Sequence, residues 1–285
     1  MSTLKKFAAA VVAAGAMAAM TPASAVIVGG IDFGTLGTTA HIETGTLAAT
    51  FVNSVGNTTQ SYGLISTVNS DSTYCADGTA NCGLYFTTTA TVSNAATAPL
   101  LYLNNTVVKV YYSPSPLINL LGQDSLANLA FIQGLAVWAT FRGENGVDGN
   151  AAGLAADTRL VQSITGAGAG ALTFSGSGLL SVNTADGLGI AAVEAYLNAN
   201  TILTAAGTFA DITYTESGSN LVLNPHDIVS PLADSCRTAA PQVGDWCLQG
   251  SADLRGNTKI PEPGSMALLG LALLALGATR RVVKR

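Results

Sequence analysis

His41 and His226 are the only imidazoles in a chain of 285 residues, so any Ser-His-Asp relay would have to be built on one of them. His226 lies in NPHDIV, behind Pro225 and beside Asp227, which is a turn context, and no G-x-S-x-G elbow occurs. His41 stands in TTAHIETG, where strand alternation puts it on one face with Glu43, at a solvated or rim position. Two carboxylates held about 5 to 10 Å apart in a cleft could hydrolyse a glycoside. The glutamates of the central region are Glu43, Glu144, Glu194 and Glu216, and no local motif pairs any two of them. A glycosidase cleft is also usually walled by aromatics, whereas Trp138 and Trp246 are the only tryptophans. No catalytic residue is assigned on these grounds.

Metal chemistry is equally thin. Asn145, Asp148, Asn150 and Asp157 share one Gly-rich stretch, and Asp71 and Asp77 flank Cys75, so hard oxygen ligands for Ca²⁺ exist. The order ENGVDGN does not match an EF-hand loop, and Asn/Asp/Gly clusters make turns far more often than metal sites. Four cysteines allow three connectivities. CADGTANC and CRTAAPQVGDWC each span a Gly-containing turn that can bring its ends together, which favours Cys75–Cys82 and Cys236–Cys247. Neither pair has zinc-knuckle spacing and the two histidines lie far apart, so no metal site is assigned and no cofactor is expected. Trp246 adjoins Cys247 and is expected to pack on that bridge.

The elements that would position these groups are mostly strands. HIETGTLAATFV, SYGLISTV, LYFTTTATV and LYLNNTVVKVYY, between residues 38 and 112, are rich in Thr, Val, Tyr and Phe and are separated by Gly, Asn, Asp and Ser. Val108, Val110 and Tyr112 alternate with Val107, Lys109 and Tyr111, which predicts a strand with two unlike faces ended by Ser113-Pro114-Ser115-Pro116. Asp124 or Ser125 would cap a short helix through Ile132, and residues 135–141 read better as a strand. Periodicity fades over residues 143–170, which read as loop. ALTFSGSGLLSVN then predicts a strand pair, or one strand with a Gly bulge. GIAAVEAYLN, with Ile190, Val193 and Leu197 at helical spacing and Asp186 upstream as a cap, is the best helix, and residues 209–215 predict another strand. No fixed-period repeat appears. The fold class is mainly β: a β-sandwich or jelly-roll-like domain with one or two helices, followed by a C-terminal single transmembrane helix.

The two ends carry addresses. Lys5 and Lys6, an Ala-rich apolar stretch over residues 7–20, and Ala23-Ser24-Ala25 make a secretory signal peptide of residues 1–25, leaving Val26 as the expected first residue of the exported chain. At the other end, IPEPGSMALLGLALLALGATRRVVKR places Pro261, Glu262 and Pro263 before an uncharged run at 266–278 and then Arg280, Arg281, Lys284 and Arg285. The two prolines fix φ and remove donors, so the tripeptide is extended and stays out of the following helix. Residues 264–279 would make about 24 Å of helix against a hydrocarbon core of about 30 Å, so length alone is ambiguous between membrane and core. The flanks decide, because MALLGLALLALGA has no polar face and the basic residues hold the far side in the cytoplasm by the positive-inside bias.

This C-terminal segment resembles the PEP-CTERM sorting signal of Gram-negative bacteria, which is read by the membrane protease-transpeptidase exosortase. Ile260 stands where Val is common, a conservative change. The resemblance implies export through the inner membrane, single-pass anchoring with a cytoplasmic C-terminus, exosortase processing, and release to the cell surface or to a biofilm matrix of extracellular polysaccharide. It implies recognition by exosortase for Pro261, Glu262 and Pro263, and membrane insertion for residues 266–278. Residues 1–25, 26–259 and 260–285 are then signal peptide, exported domain and sorting segment. Between residues 26 and 259 sixteen acidic residues stand against six basic ones, so nucleic acid is an unsuitable partner, and neutral polysaccharide or cations suit it better. The expected role is that of a non-catalytic surface or matrix protein. A secreted carbohydrate-active hydrolase is the alternative.

Overall fold

In a computed structural model of the chain, the described residues are 25–35, 37–95, 100–144, 160–165, 173–204, 207–219 and 242–259. The signal peptide up to residue 24, the Asn/Asp-rich stretch 145–157, His226, Cys236 and the sorting segment 260–285 lie outside them. Eight principal strand positions follow the chain in order. They are β3 (Thr39–Thr50), β4 (Thr58–Val68), β5 (Gly83–Ala95), β6 (Leu100–Ser113), a shared slot of β7 (Ala136–Glu144) and β8 (Leu160–Thr165), β9 (Thr173–Val182), β12 (Ile212–Ser219) and β13 (Trp246–Asn257). Each pairs antiparallel with the next, and β13 pairs back onto β3 from Trp246 opposite Thr50 to Asn257 opposite Thr39. The sheet therefore closes on itself as an up-and-down barrel. β7 and β8 lie end to end between β6 and β9: β6 pairs β8 through Leu100–Leu103 and β7 through Val107–Tyr112.

Alternation fills the inside. Ile42, Ile65, Leu84, Phe86, Val108, Val110, Phe141, Leu180, Ile212, Tyr214 and Leu254 are buried in one cluster. Register slips in β3 near Thr44 and in β13 between Gly250 and Asp253 add the bends that let long strands curl, as β-bulges do. The closed meander explains the departure from the sandwich or jelly-roll expectation. Period-two alternation is the same in both architectures, but eight sequential strands of mostly 8 to 14 residues can join first to last and remove both unpaired edges.

Because the strands alternate in direction, the long described connections fall on one rim. Residues 26–38 carry the small hairpin of β1 (Ile27–Val28) and β2 (Ile31–Asp32), and residues 69–82 carry the Cys75–Cys82 disulfide. The segment between β6 and β7 holds α1 (Ser125–Gln133). Between β9 and β12 lie α2 (Ala191–Leu197) and the hairpin of β10 (Ile202–Leu203) and β11 (Phe209–Ala210). Both ends of the described barrel, Val26 and Lys259, also lie here, and this is called the exit rim below. Phe33 stacks 6.2 Å from Trp138 and meets Tyr196 edge-on at 4.9 Å, so β2 and α2 plug that rim with aromatic rings.

α1 forms as read. Asp124 Oδ1 accepts from Ala127 N at 2.8 Å, an N-cap, and the helix lies on the outer wall over Tyr62, Tyr85 and Tyr111. α2 also forms, but its N-cap is Ile190 with no side-chain bond, while Asp186 instead accepts from Leu188 N at 3.0 Å. Part of the stretch read as loop is strand, the end of β7 and β8, and β9 is one strand with no register slip rather than a pair or a bulged strand. The strand read at 209–215 divides at Asp211, whose Oδ2 accepts from Val182 N at 2.8 Å and Oδ1 from Asn200 N at 2.6 Å, so β11 leaves the barrel wall where β12 begins.

Candidate functional site

Three groups of ionisable side chains emerge among the described residues. The first is on the outer wall, where β3 and β13 pair. His41 sits opposite Arg255 and Glu43 opposite Asp253, so alternation brings all four to one face, as the sequence predicts for His41 and Glu43. His41 Nε2 is 3.0 Å from Glu43 Oε1, an ion pair when the imidazole is protonated. Arg255 lies 3.4 Å from Asp253 Oδ2 and 4.0 Å from Glu43 Oε1, and Thr67 Oγ1 donates to Glu43 Oε2 at 2.7 Å. His41, Glu43 and Asp253 could each offer one atom to a metal ion, these atoms lying within 4.8 Å of one another. The guanidinium already sits against both carboxylates, so the group reads more simply as a surface charge cluster in which opposite charges meet along each strand and on the diagonal, each such contact worth about 0.2–1 kcal/mol.

The second group is inside the barrel. Tyr214 and Glu216 are neighbours on the inward face of β12, and the Tyr214 hydroxyl donates to Glu216 Oε2 at 2.7 Å. Burial pushes the Tyr214 phenol well above its ordinary value, the nearby Glu216 charge adds to this, and the Thr88 hydroxyl acts in the opposite direction. Room for the carboxylate comes from β9, where Gly176 stands opposite Glu216. A Cβ at Gly176 would fall 2.7 Å from Glu216 Oε1, so only glycine fits without displacing it. The run FSGSG, read from sequence as part of a strand pair or of one strand with a Gly bulge, lies in one continuous strand and trades side chains for interior space. Its glycines alternate with serines, and that period of two was the available signal.

The third is Glu194, on the buried face of α2. Its side chain turns back onto Gly189, where a Cβ would lie 2.1 Å from its Oε1. Burial raises its carboxyl above the usual range, the negative charge of Asp186 raises it further, and the backbone N–H groups of Thr140 and Gly189 work in the opposite direction. Glu194 therefore stands at the open edge of β7, where Ile190 N also donates to Trp138 O at 3.1 Å. Sequence reading places Glu194 beside the apolar stripe facing solvent, whereas it is 4% exposed. Glu144 belongs to none of these groups and lies 3.6 Å from Arg142 on β7. The four glutamates thus occupy four separate places: outer wall, interior, helix underside and strand end.

Of the flagged oxygen ligands, Asp71 and Asp77 are turn residues. Asp71 Oδ1 accepts from Thr73 N and Oγ1, each at 2.7 Å, and Asp77 Oδ1 from Thr79 N and Oγ1 at 3.0 and 2.6 Å. These bonds hold both carboxyls below their ordinary value. They shape the loop closed by Cys75–Cys82, whose Cα atoms are 5.8 Å apart. Cys247 is also disulfide-bonded; Cys236, its expected partner, lies outside the described residues. The Trp246 ring packs 5.2 Å from Tyr62, on the outer-wall cluster under α1.

The barrel wall ends with β13 at Asn257, and Lys259 is the last described residue. The sequence pattern of the PEP-CTERM protein-sorting motif matches residues 259–281. The C-terminal segment is a PEP-CTERM sorting motif. No curated protein and no solved structure matches the chain. A PEP-CTERM motif implies export, membrane anchoring and exosortase processing, so the identified part of this protein is its address. Among the described residues no helix is long and apolar enough to cross a membrane, and the apolar run at 266–278 lies outside them.

Proposed function

We propose that this chain is an exported protein, held in the inner membrane by its C-terminal segment until exosortase cuts it, and then a non-catalytic component of the cell surface or extracellular matrix associated with exopolysaccharide. The observation that carries this reading is the PEP-CTERM motif at residues 259–281, which begins where the closed barrel ends. Pro261, Glu262 and Pro263 are its recognition element, residues 266–278 the membrane segment, and Arg280, Arg281, Lys284 and Arg285 the cytoplasmic anchor. Glu43, Glu144, Glu194 and Glu216 lie in four separate places, and Glu43, which has the Asp253 carboxylate close beside it, sits on the outer wall against Arg255 rather than across a cleft, which supports a non-catalytic role. The excess of acidic residues between 26 and 259 favours neutral glycan or cation-bridged contacts over polyanions.

Intact mass tests the address. Protein released from cells should lack residues 1–25 and end near residues 261–263; material recovered outside the cell and still carrying Arg285 refutes the processing. A glycan-binding screen on residues 26–259, run beside an assay for reducing-sugar release, tests the role. Glycan retention without sugar release is the expected result, and turnover would replace the matrix reading with a hydrolase.

A further inference from the structure

The two chain ends of the barrel meet around one residue. The Tyr196 hydroxyl donates to Gly37 O at 2.5 Å, Thr258 Oγ1 donates to the same oxygen, and Lys259 N donates to Tyr196 O at 2.8 Å. The Val26 side chain covers Gly37 from the other side, where a Cβ would fall 2.5 Å from Val26 Cγ2. Signal peptide and sorting segment therefore leave from adjacent points of the exit rim. Residues 260–265 span at most about 22 Å even when fully extended, so a membrane segment starting at 266 keeps this rim close to the lipid surface.

The exit rim carries exposed apolar side chains: Ile27, Leu188, Ile190, Leu203 and Phe209 all belong to its connections, and Leu126 is a further one on α1 against the outer wall. Leu203 and Phe209, 66% and 53% exposed, face each other directly across the β10–β11 hairpin, so their side chains share one side. That hairpin begins beside the point of exit, since Asn257 Nδ2 donates to Thr201 Oγ1 at 3.2 Å. Across the rim, in the loop between β4 and β5, Asp71 and Asp77 are exposed carboxylates that anionic lipid repels, against one exposed carboxylate, Asp186, on the connection that carries the hairpin.

From this placement we infer that the exit rim, led by Leu203 and Phe209, rests on the outward-facing lipid interface of the inner membrane before processing. The occupant of the apolar patch is the headgroup region into which the chain's own tail leads. Small apolar groups of this kind enter the headgroup boundary while the rest of the domain stays in water. The contact tilts the barrel toward β9, β12 and β13 and away from the acidic loop, and it brings residues 259–263 down to a membrane-embedded protease. This inference rests on the reading that residues 266–278 anchor the chain.

The test uses the full chain in vesicles of phosphatidylethanolamine and phosphatidylglycerol, under oxidising conditions, with an environment-sensitive nitrobenzoxadiazole label on Thr208→Cys or on Val55→Cys. Thr208 is exposed beside Phe209, and Val55 reports the opposite rim. The label at 208 should emit at shorter wavelength and be quenched by nitroxide-bearing lipid, the label at 55 should not, and Leu203→Ser with Phe209→Ser should abolish the difference without preventing flotation. Equal, water-like signals from both labels in floated vesicles overturn the rim contact while leaving the anchor intact. A chain that does not float with vesicles overturns the anchoring reading and this inference with it.

Discussion

Replacing Tyr74 with Phe removes one oxygen and tests how the β4–β5 corner is held. The ring is 2% exposed, its hydroxyl donates to Ile65 O at 2.9 Å, and it accepts from Leu84 N at 3.2 Å, so one phenol ties the end of β4 to the start of β5 beside the disulfide. Without it a buried N–H and a buried C=O lose their partner, and at about 1–3 kcal/mol for each unsatisfied group the expected loss at pH 8 is about 2–6 kcal/mol. Burial also pushes this phenol up to about 12, with the Leu84 N–H working against the shift and Tyr85 slightly for it. A folded-state pKa above the unfolded value near 10 means that the stability tied to the neutral phenol is complete below pH 10 and is lost as pH rises through about 12. The loss amounts to about 1.4 kcal/mol per pH unit across that window. The gap between wild type and Tyr74→Phe should therefore be constant from pH 7 to 9.5 and shrink by more than 1 kcal/mol between pH 10 and 11.5. Tyr85, Tyr196 and Tyr214 are also raised by burial, but they titrate in both proteins and cancel in the difference. Urea unfolding of residues 26–259, followed by circular dichroism at each pH, measures the gap. A gap that stays flat to pH 11.5 would show that the Tyr74 oxygen ionises in the fold as it does in water, and would refute the account of the corner.

Three further outcomes follow from the same geometry. Replacing both Cys75 and Cys82 by serine opens a loop whose ends are 7 residues apart in sequence, and should lower the urea-derived stability by about 2–3 kcal/mol; an unchanged midpoint would mean that the Asp71 and Asp77 turns alone hold the loop. Glu194→Gln should be neutral or stabilising at pH 7, because the raised Glu194 carboxyl favours the fold fully only below its unfolded pKa and that contribution is lost as pH rises through its folded value. The advantage of the variant should vanish toward pH 4, and a clear loss of stability at pH 7 would mean that the charged form is the one the fold needs. Gly176→Ala should cost about 1–3 kcal/mol by driving a methyl group against Glu216, whereas the double variant Gly176→Ala/Glu216→Ala should recover part of the overpacking cost; additive losses in thermal melts would exclude the close approach.

Strand identity was legible because alternation is local: Val108 and Val110 against Val107 and Lys109 marks an inside and an outside without reference to partners. Barrel closure was not legible, since it depends on β13 returning to β3 across about 200 residues, and no pattern within either strand encodes that pairing. The Asp124 cap was readable because its hydrogen bond reaches three residues ahead, while Asp186 was misassigned because a 3-10 turn used its oxygens first. Of the site residues, His41 and Glu43 fell on one face as alternation required, but Asp253 and Arg255 joined them only through tertiary pairing. Glu194 was read as a solvent-facing carboxylate because Glu usually is, and Glu216 was given no place. Only their glycine neighbours, Gly189 and Gly176, hinted that space had been made for them.

Closure and address bear on one problem. A protein gathered at a membrane before processing meets many copies of itself, and an open sheet would offer unpaired N–H and C=O groups to each of them. Joining β13 to β3 removes the two end edges of the large sheet, so contacts between copies along that wall run through its outward side chains. That wall carries the partly exposed Thr89 and Thr91 on β5, Thr87 being buried beside Tyr111, and is charged where β3 meets β13. With the exit rim turned to lipid, the wall and the opposite rim are the surfaces that face outward. Any glycan partner must therefore be read by hydroxyl and charge on a convex surface, which favours many weak contacts along a polymer over one enclosed sugar.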